Sequence, residues 1–177
     1  MKYVKFLCCL VLMSCSTSKV IVDYDTEVDF SNFTTYALYD DVGEGFNELD
    51  VKRITTILNN KLKTLKFQQV ENPTMFINFK AKVAKATNNN TIGIGIGSGG
   101  RNGGFGVSGG IPIGGKKLNE IITIEFVNAT TNQLIWEGSI TSTIKEKRSP
   151  EEKEGHFESV IQEILAEYPA QKKSSKN

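Results

Sequence analysis

The chain is poor in the side chains that most often bind metals or carry catalysis. Histidine occurs once, as His156, and the three cysteines, Cys8, Cys9 and Cys15, all lie near the N-terminus. A zinc site made of histidine and cysteine is therefore not expected. A Ser-His-Asp triad would depend on His156, and no GxSxG motif accompanies it. We expect His156 to be a solvated helix residue, and we predict no enzyme activity, no cofactor and no metal site.

The apolar run at the N-terminus is too short to cross a bilayer, which takes roughly 20 residues. It extends from Phe6 to Met13, follows Lys2 and Lys5, and leads into Leu12-Met13-Ser14-Cys15. This pattern is typical of a lipoprotein signal peptide, in which a small residue precedes the cysteine that becomes lipidated. We predict that residues 1–14 are the signal peptide and that residues 15–19 form a tether lipidated at Cys15. The alternative is an ordinary signal peptide, with Cys15 incidental.

The residues after Cys15 predict where such a lipoprotein would reside. Ser16 replaces the aspartate of the usual inner-membrane retention signal, and residues 16–19 lack the acidic cluster that directs some lipoproteins to the cell surface. We therefore predict an outer-membrane protein, lipid-anchored and facing the periplasm. Cys8 and Cys9 would leave with the signal peptide, so no disulfide is expected in the mature chain.

The chain has no excess of charge of either sign, with 21 Lys and Arg against 20 Asp and Glu. Loss of residues 1–14 removes Lys2 and Lys5 and leaves a net charge of about −1. This balance argues against a nucleic-acid partner, which would require a basic face. The length is sufficient for one domain, which we place at residues 20–169, followed by a polar tail at residues 170–177.

Hydrophobic periodicity predicts two helices and about five strands. One helix lies between Asn47 and Lys66, and the other follows the capping sequence Ser149-Pro150-Glu151-Glu152 and ends before Pro169. The alternating segments that predict strands are 20–25, 34–39, 75–83, 118–127 and 134–144. We expect an α+β fold with a mainly antiparallel sheet and both amphipathic helices on one face.

The order of short motifs resembles that of the bacterial lipoproteins grouped as domain of unknown function 4136. The motifs are Val22-Asp23-Tyr24-Asp25, Asp29-Phe30-Ser31, Thr35-Tyr36, Ile124-Glu125-Phe126-Val127-Asn128-Ala129, Leu134-Ile135-Trp136-Glu137-Gly138 and Tyr168-Pro169. Pro73 also leads into an apolar strand, although Thr74 stands where the resemblance implies aspartate. The resemblance implies the fold and the location. It implies no active site.

Residues 91–117 form a glycine-rich insert that contains twelve of the sixteen glycines. It contains GxGxxG twice, from Gly95 and from Gly104, and GxxxxGK from Gly110, but a strand pattern follows where a phosphate-binding loop needs a helix. Two interpretations remain for the insert. It is either a poorly ordered connection or a contact surface made by its alternating isoleucines and Phe105.

The other candidate sites are weaker. Asp23, Asp25, Glu27 and Asp29 lack the spacing of a calcium loop and are more typical of a solvated strand face. Trp136 is expected in the core rather than against a sugar. Two carboxylates could still meet in space as in a glycosidase, but no pair is indicated by the sequence.

Three functional hypotheses follow from these patterns. We favour a non-enzymatic module that binds or supports another envelope protein or a glycan. The alternative is a carboxylate-dependent hydrolase of peptidoglycan or glycan. A third possibility is self-assembly through the glycine-rich insert. The sequence does not indicate the oligomeric state.

Overall fold

The computed structural model describes residues 19–85 and 117–169. Cys15, the signal peptide, the insert apart from Lys117, and the tail 170–177 lie outside the described residues. The described part has six strands and two helices, interrupted by one 3₁₀ turn, Phe30–Asn32. The strands are β1 (Val20–Tyr24), β2 (Thr35–Leu38), β3 (Gln68–Gln69), β4 (Met75–Lys85), β5 (Lys117–Asn128) and β6 (Leu134–Lys145). The helices are α1 (Glu48–Thr64) and α2 (Pro150–Ala166).

The strands form one mixed sheet in the order β1-β6-β5-β4-β2-β3. The pairs β1–β6, β6–β5 and β5–β4 are antiparallel, whereas β2 pairs in parallel with both β3 and β4. The α+β class and the two helices are confirmed. The predicted count of about five strands is corrected to six, because the two-residue β3 is too short to show alternation. β2 and β3 pair in parallel because α1 forms the crossover that connects them.

Both helices begin at the caps that the sequence predicts. The Asn47 side chain accepts a hydrogen bond from the Asp50 backbone N–H. Ser149 and Glu152 form a reciprocal capping box with Pro150 as the first helical residue, which satisfies N–H groups that have no partner within the helix. In the described part of the chain, neither helix is long and apolar enough to cross a membrane.

Among residues 19–85 and 117–169, the helices cover one face of the sheet and no helix lies on the other. Directly opposite residues of neighbouring strands share a face, so the register separates the two sets. The covered face joins the helices in one core that includes Ile77, Phe79, Ile122, Ile124, Phe126, Trp136 and Ile140 of the sheet, Ile54, Leu58 and Leu62 of α1, and Phe157, Ile161 and Ile164 of α2. The opposite side, here called the open face, includes Ile21, Asp23, Asn78, Lys80, Lys82, Ile121, Thr123, Glu125, Glu137, Ser139 and Thr141.

Trp136 and Gly138 allow α2 to approach β6 closely. Trp136 is fully buried, which confirms the prediction that it is a core residue. A Cβ atom on Gly138 would lie 2.6 Å from the Trp136 ring and 2.8 Å from a methyl group of Ile164. A side chain at position 138 would therefore push α2 away from the sheet.

We call the end of the sheet where β4 ends and β5 begins the insert end, and the opposite end the far end. Both helices begin near the insert end, because Lys153 of α2 contacts Asp50 of α1 and Arg148 contacts Glu120 of β5. At the far end, the Thr74 Oγ1 hydroxyl donates to the Thr35 carbonyl at 2.9 Å. The Thr74 backbone N–H donates to the Thr35 hydroxyl, also at 2.9 Å. Thr74 therefore joins the starts of β2 and β4.

Candidate functional site

Two groups of charged residues lie on opposite sides of the sheet, and one of them is buried under the helices. Glu120 is 4% exposed and lies on the covered face near the insert end. Arg148 Nη2 donates to its Oε1 at 3.0 Å, and His156 Nε2 lies 2.8 Å from its Oε2. An ionised carboxylate can only accept, so His156 Nε2 carries the proton in this contact. Burial alone would raise the pKa of Glu120, but the His156 hydrogen bond and the charge of Arg148 outweigh it and lower that pKa.

The expectation that His156 is solvated is therefore wrong. Its side chain is 19% exposed and is directed to Glu120 of β5. The periodicity of α2 did not show this contact, because the partner lies 36 residues earlier in the chain. One signal was present in the sequence: Glu120 occupies the inward phase of a strand whose other inward residues are Ile122, Ile124 and Phe126. A carboxylate in that phase needs a cationic partner.

A second buried carboxylate joins the two helices. Asp50 is 5% exposed, accepts from Arg53 at 2.7 Å, and accepts from Lys153 of α2 at 2.7 Å. Burial would raise the pKa of Asp50, but the hydrogen bonds from Lys153 and Asn47 lower it overall. Glu120 is thus held by Arg148 and His156, and Asp50 of α1 is held by Arg53 and Lys153. We interpret both groups as structural.

The open face carries acids that are arranged differently. Asp23, Glu137 and Glu125 lie in register on the adjacent strands β1, β6 and β5, with Asn78 of β4 next in the row. We call these four residues the acidic row. Like charges directly opposite each other on neighbouring strands repel. Glu137 has an acid on either side, so this repulsion is greatest at its position.

One lysine partly compensates the acidic row. Lys80 is hydrogen-bonded to Glu125 Oε1, and Asn78 donates to Glu125 Oε2 at 2.9 Å. The hydrogen bond with Glu125 raises the pKa of Lys80, against the effect of burial, and the charges of Glu137 and Glu44 add to the rise. Glu137 itself forms no hydrogen bond or salt bridge through its carboxylate among the described residues. The negative charge of Glu137 is therefore balanced only by positive charges at longer range, such as that of Lys80.

The insert end of the open face carries the opposite charge. Lys117 of β5 and Lys145 of β6 lie directly opposite each other and on the same face as Glu125 and Glu137. Both lysines are exposed. Lys145 forms a long 3.4 Å contact with Glu152, in which both side chains are more than half exposed. A screened surface pair of this kind contributes little to stability.

The predicted acidic candidates are not brought together as a metal site. Asp23 lies in the acidic row, whereas Asp25, Glu27 and Asp29 follow β1. Within residues 19–85 and 117–169, no group of three or more His, Cys, Asp or Glu side chains could hold a metal ion. A hollow of about 280 Å³ lies beside the acidic row, lined by Asp23, Tyr24, Leu134 and Glu137 among others. It is smaller than most enclosed small-molecule sites, which are roughly 300–1,000 Å³.

The comparisons with known proteins concern the family and the fold. A family model described as Domain of unknown function (DUF4136) matches residues 20–170. No protein of curated function matches the chain. Among solved structures, the fold is similar to part of a PDZ domain protein from Parabacteroides distasonis, with a TM-score of 0.55 and 15% identity over 86% of this chain. This match covers 35% of the other chain, so the present chain spans about a third of its length.

A second similar structure is a PelC dodecamer from Paraburkholderia phytofirmans. The TM-score is 0.50 and the identity is 10%, and the match covers 85% of this chain and 95% of that one. At such identities, both similarities concern the fold alone. The motifs that suggested the family lie within the matched range. In one of them, the strand register places Trp136 on the covered face and the neighbouring Glu137 on the open face.

Proposed function

We propose that this chain, which belongs to the family described as Domain of unknown function (DUF4136), is an outer-membrane lipoprotein anchored through Cys15. In this proposal the domain faces the periplasm and acts as a non-enzymatic module that binds or assembles envelope components. Its contact surface is the open face of the sheet.

The observation that carries this proposal is the incomplete compensation of charge on the open face. Glu120, beneath the helices, contacts Arg148 and His156, and Asp50 of α1 contacts Arg53 and Lys153. Glu137 lies between Asp23 and Glu125 without a direct cationic partner among the described residues. Such a row costs stability in the isolated domain. A surface that retains an unfavourable arrangement is typical of a site that is completed by a partner.

The position of β1 is compatible with a lipid anchor. β1 starts at Val20 and is an edge strand of the sheet. Residues 15–19 span at most about 17 Å when fully extended. A lipid on Cys15 would therefore hold the β1 edge close to the membrane, while the open face would remain accessible from the periplasm.

Similarity to PelC supports an assembly role. That protein, whose fold is similar, is described as a dodecamer. A fold of this kind is thus compatible with assembly from identical copies.

The hydrolase alternative has one observation in its favour. Glu125 and Glu137 lie directly opposite each other on β5 and β6, so the fold brings together a carboxylate pair that the sequence did not indicate. Glycosidases use two carboxylates that flank the scissile bond. Glu125 accepts a hydrogen bond from Lys80, and the adjoining hollow of about 280 Å³ is small, so we favour binding over hydrolysis. Release of soluble fragments from purified cell wall by the chain, but not by Glu137→Gln, would support the hydrolase and contradict our proposal.

Site-specific photocrosslinking in cells tests the contact surface. A photoreactive amino acid is placed in the full chain at Thr141 on the open face or at Thr56 on α1, both exposed positions. We expect crosslinked products from position 141 and few from position 56. Equal yields from both positions, or products from position 56 alone, would contradict the assignment.

The anchor is tested separately. We expect the full chain to incorporate labelled palmitate and to fractionate with outer membranes, and the Cys15→Ser variant to do neither. An unlabelled wild-type chain in the soluble fraction would overturn the proposed location without affecting the proposed contact surface.

A further inference from the structure

We infer that the occupant of the open face is a second copy of this chain, related to the first by a two-fold axis that crosses the strands. This inference rests on the proposed function, because both take the open face as the contact surface. The inference adds the identity of the partner. Its basis is the distribution of charge and of exposed apolar side chains along that face.

The open face is acidic toward the far end and basic toward the insert end. Glu125 and Glu137 form the acidic part on β5 and β6, and Lys117 and Lys145 form the basic part on the same two strands. A surface with opposite charges at its two ends is complementary to a copy of itself turned end to end. The two-fold contacts of homodimers require this kind of self-complementarity.

The register places Ile121 at the centre between the two charged parts. On β5, Ile121 is equally far in sequence from Glu125 and from Lys117, and its partner Thr141 on β6 is equally far from Glu137 and from Lys145. The Ile121 side chain is 38% exposed, and Ile21 on the same face is 64% exposed. Two-fold contact would bury Ile121 in the middle of the interface, where the hydrophobic contribution is expected.

Two axes parallel to the sheet can relate the copies, and charge distinguishes them. An axis across the strands at Ile121 reverses the strand direction, so it places Glu125 over Lys117 of the second copy and Glu137 over Lys145 of the second copy. An axis along the strands keeps the direction and places acid over acid. The first arrangement is therefore selected. Lys82 lies in the same row as Ile121 and would face its own copy there, which is a local cost that its long side chain can relieve by extending toward solvent.

The selected axis is compatible with two lipid anchors in one membrane. Rotation about an axis across the strands reverses their direction but leaves the β1 edges of both copies on the same side. Both tethers can then reach the same bilayer. The axis along the strands would place the two β1 edges on opposite sides of the dimer.

Charge exchange tests the pairing between Glu137 and Lys145 of the second copy. Dimerisation of the full chain is measured in detergent by sedimentation for Glu137→Lys, Lys145→Glu and the double variant. We expect each single variant to weaken the dimer at least tenfold, because each places like charges together, and we expect the double variant to recover to within about threefold of the wild type. A double variant no better than the single variants would overturn the inferred axis.

Chemical crosslinking tests the position of the axis in the membrane. Stacked sheets lie about 10 Å apart, which is too far for a disulfide, so a bismaleimide reagent of matching reach is used. The Ile121→Cys variant of the full chain is expected to give a crosslinked dimer, and the Thr56→Cys control on α1 is not. Absence of the crosslinked dimer from Ile121→Cys, or equal yields from both variants, would overturn the inference.

A photoreactive residue at position 121 separates this inference from the proposed function. Crosslinked dimers of the chain itself would support the second copy as occupant. Products that contain a different envelope component would overturn the second copy and retain the open face as a contact surface. Absence of any product from the open face would overturn both.

Discussion

Glu120 and Glu137 are two glutamates of the same sheet whose surroundings are opposite. Glu120 lies beneath the helices and contacts Arg148 and His156. Glu137 lies on the open face, with Asp23 on one side and Glu125 on the other. The more deeply buried carboxylate is thus the better compensated one. Burial of a charge imposes a large desolvation cost that the fold must balance, whereas an exposed charge can be left for a partner.

This difference assigns separate roles to the two faces. The covered face and its ionic contacts hold the helices to the sheet, so its residues should determine the free energy of unfolding. The open face contributes less to folding, so its residues should determine association. Substitutions on each face test whether the two faces have these separate roles.

The largest effect is expected for Glu120→Ala. Removing the carboxylate leaves Arg148 and His156 mostly buried without their partner, and breaking such a pair costs about 3–5 kcal/mol. Urea denaturation at pH 7 measures this loss. The exposed Glu146→Ala on the loop before α2 serves as the control and should change stability by less than about 0.5 kcal/mol. A loss below about 1 kcal/mol for Glu120→Ala would show that the buried contact is not structural.

The next prediction compares the loss of stability on substitution of two neighbouring residues of β6 that point to opposite faces. Gly138→Ala places a methyl group against Trp136 and Ile164 and should cost about 1–3 kcal/mol by overpacking. Ser139→Ala on the open face should be close to neutral. Similar losses from both variants in urea denaturation would contradict the division of roles between the faces.

A smaller effect is the pH dependence of stability that comes from Glu120. Its pKa is lower in the folded chain than its usual value of 4.5, so the unfolded chain binds the proton more readily. The resulting stability is present above about pH 4.5 and is lost as the pH falls through the folded pKa, at up to about 1.4 kcal/mol per pH unit. We expect the Glu120→Gln variant to lose less stability than the wild type between pH 5 and pH 3. Equal slopes in acid titrations of the two proteins would contradict this assignment.

The sequence predicts the covered face better than the open face, for a physical reason. Hydrophobic periodicity and capping residues are local signals, and they predict Trp136 in the core and both helix starts at Asn47 and Ser149. Contacts between distant segments have no such signal. The Glu120–His156 contact, the acidic row and the parallel pairing of β2 depend on register and crossover, which no single segment encodes.

The motif Trp136-Glu137-Gly138 shows both what local signals predict and what depends on contacts between distant segments. Its family resemblance identifies the fold, and alternation places its first and third residues on the same face. Tryptophan and glycine then explain each other, because the ring occupies space that a side chain at position 138 would need. The middle glutamate has no such explanation within the described fold. The acidic neighbours of Glu137 are identified only when the pairing of β1 and β5 with β6 is known.

The smallest effect on stability is also the one that most directly distinguishes the roles of the two glutamates. Glu137→Gln removes the repulsion from Asp23 and Glu125, so we expect it to stabilise the isolated monomer by about 0.2–1 kcal/mol, measured at a dilution where sedimentation shows no dimer. The same substitution removes the charge that would face Lys145 of a second copy, so dimerisation should weaken. Glu154→Gln, at an exposed position of α2, should change neither quantity. A Glu137→Gln variant that is less stable as a monomer would show that Glu137 supports the fold as Glu120 does. One that is more stable and dimerises less would show that the open face retains its charge for association at the expense of folding.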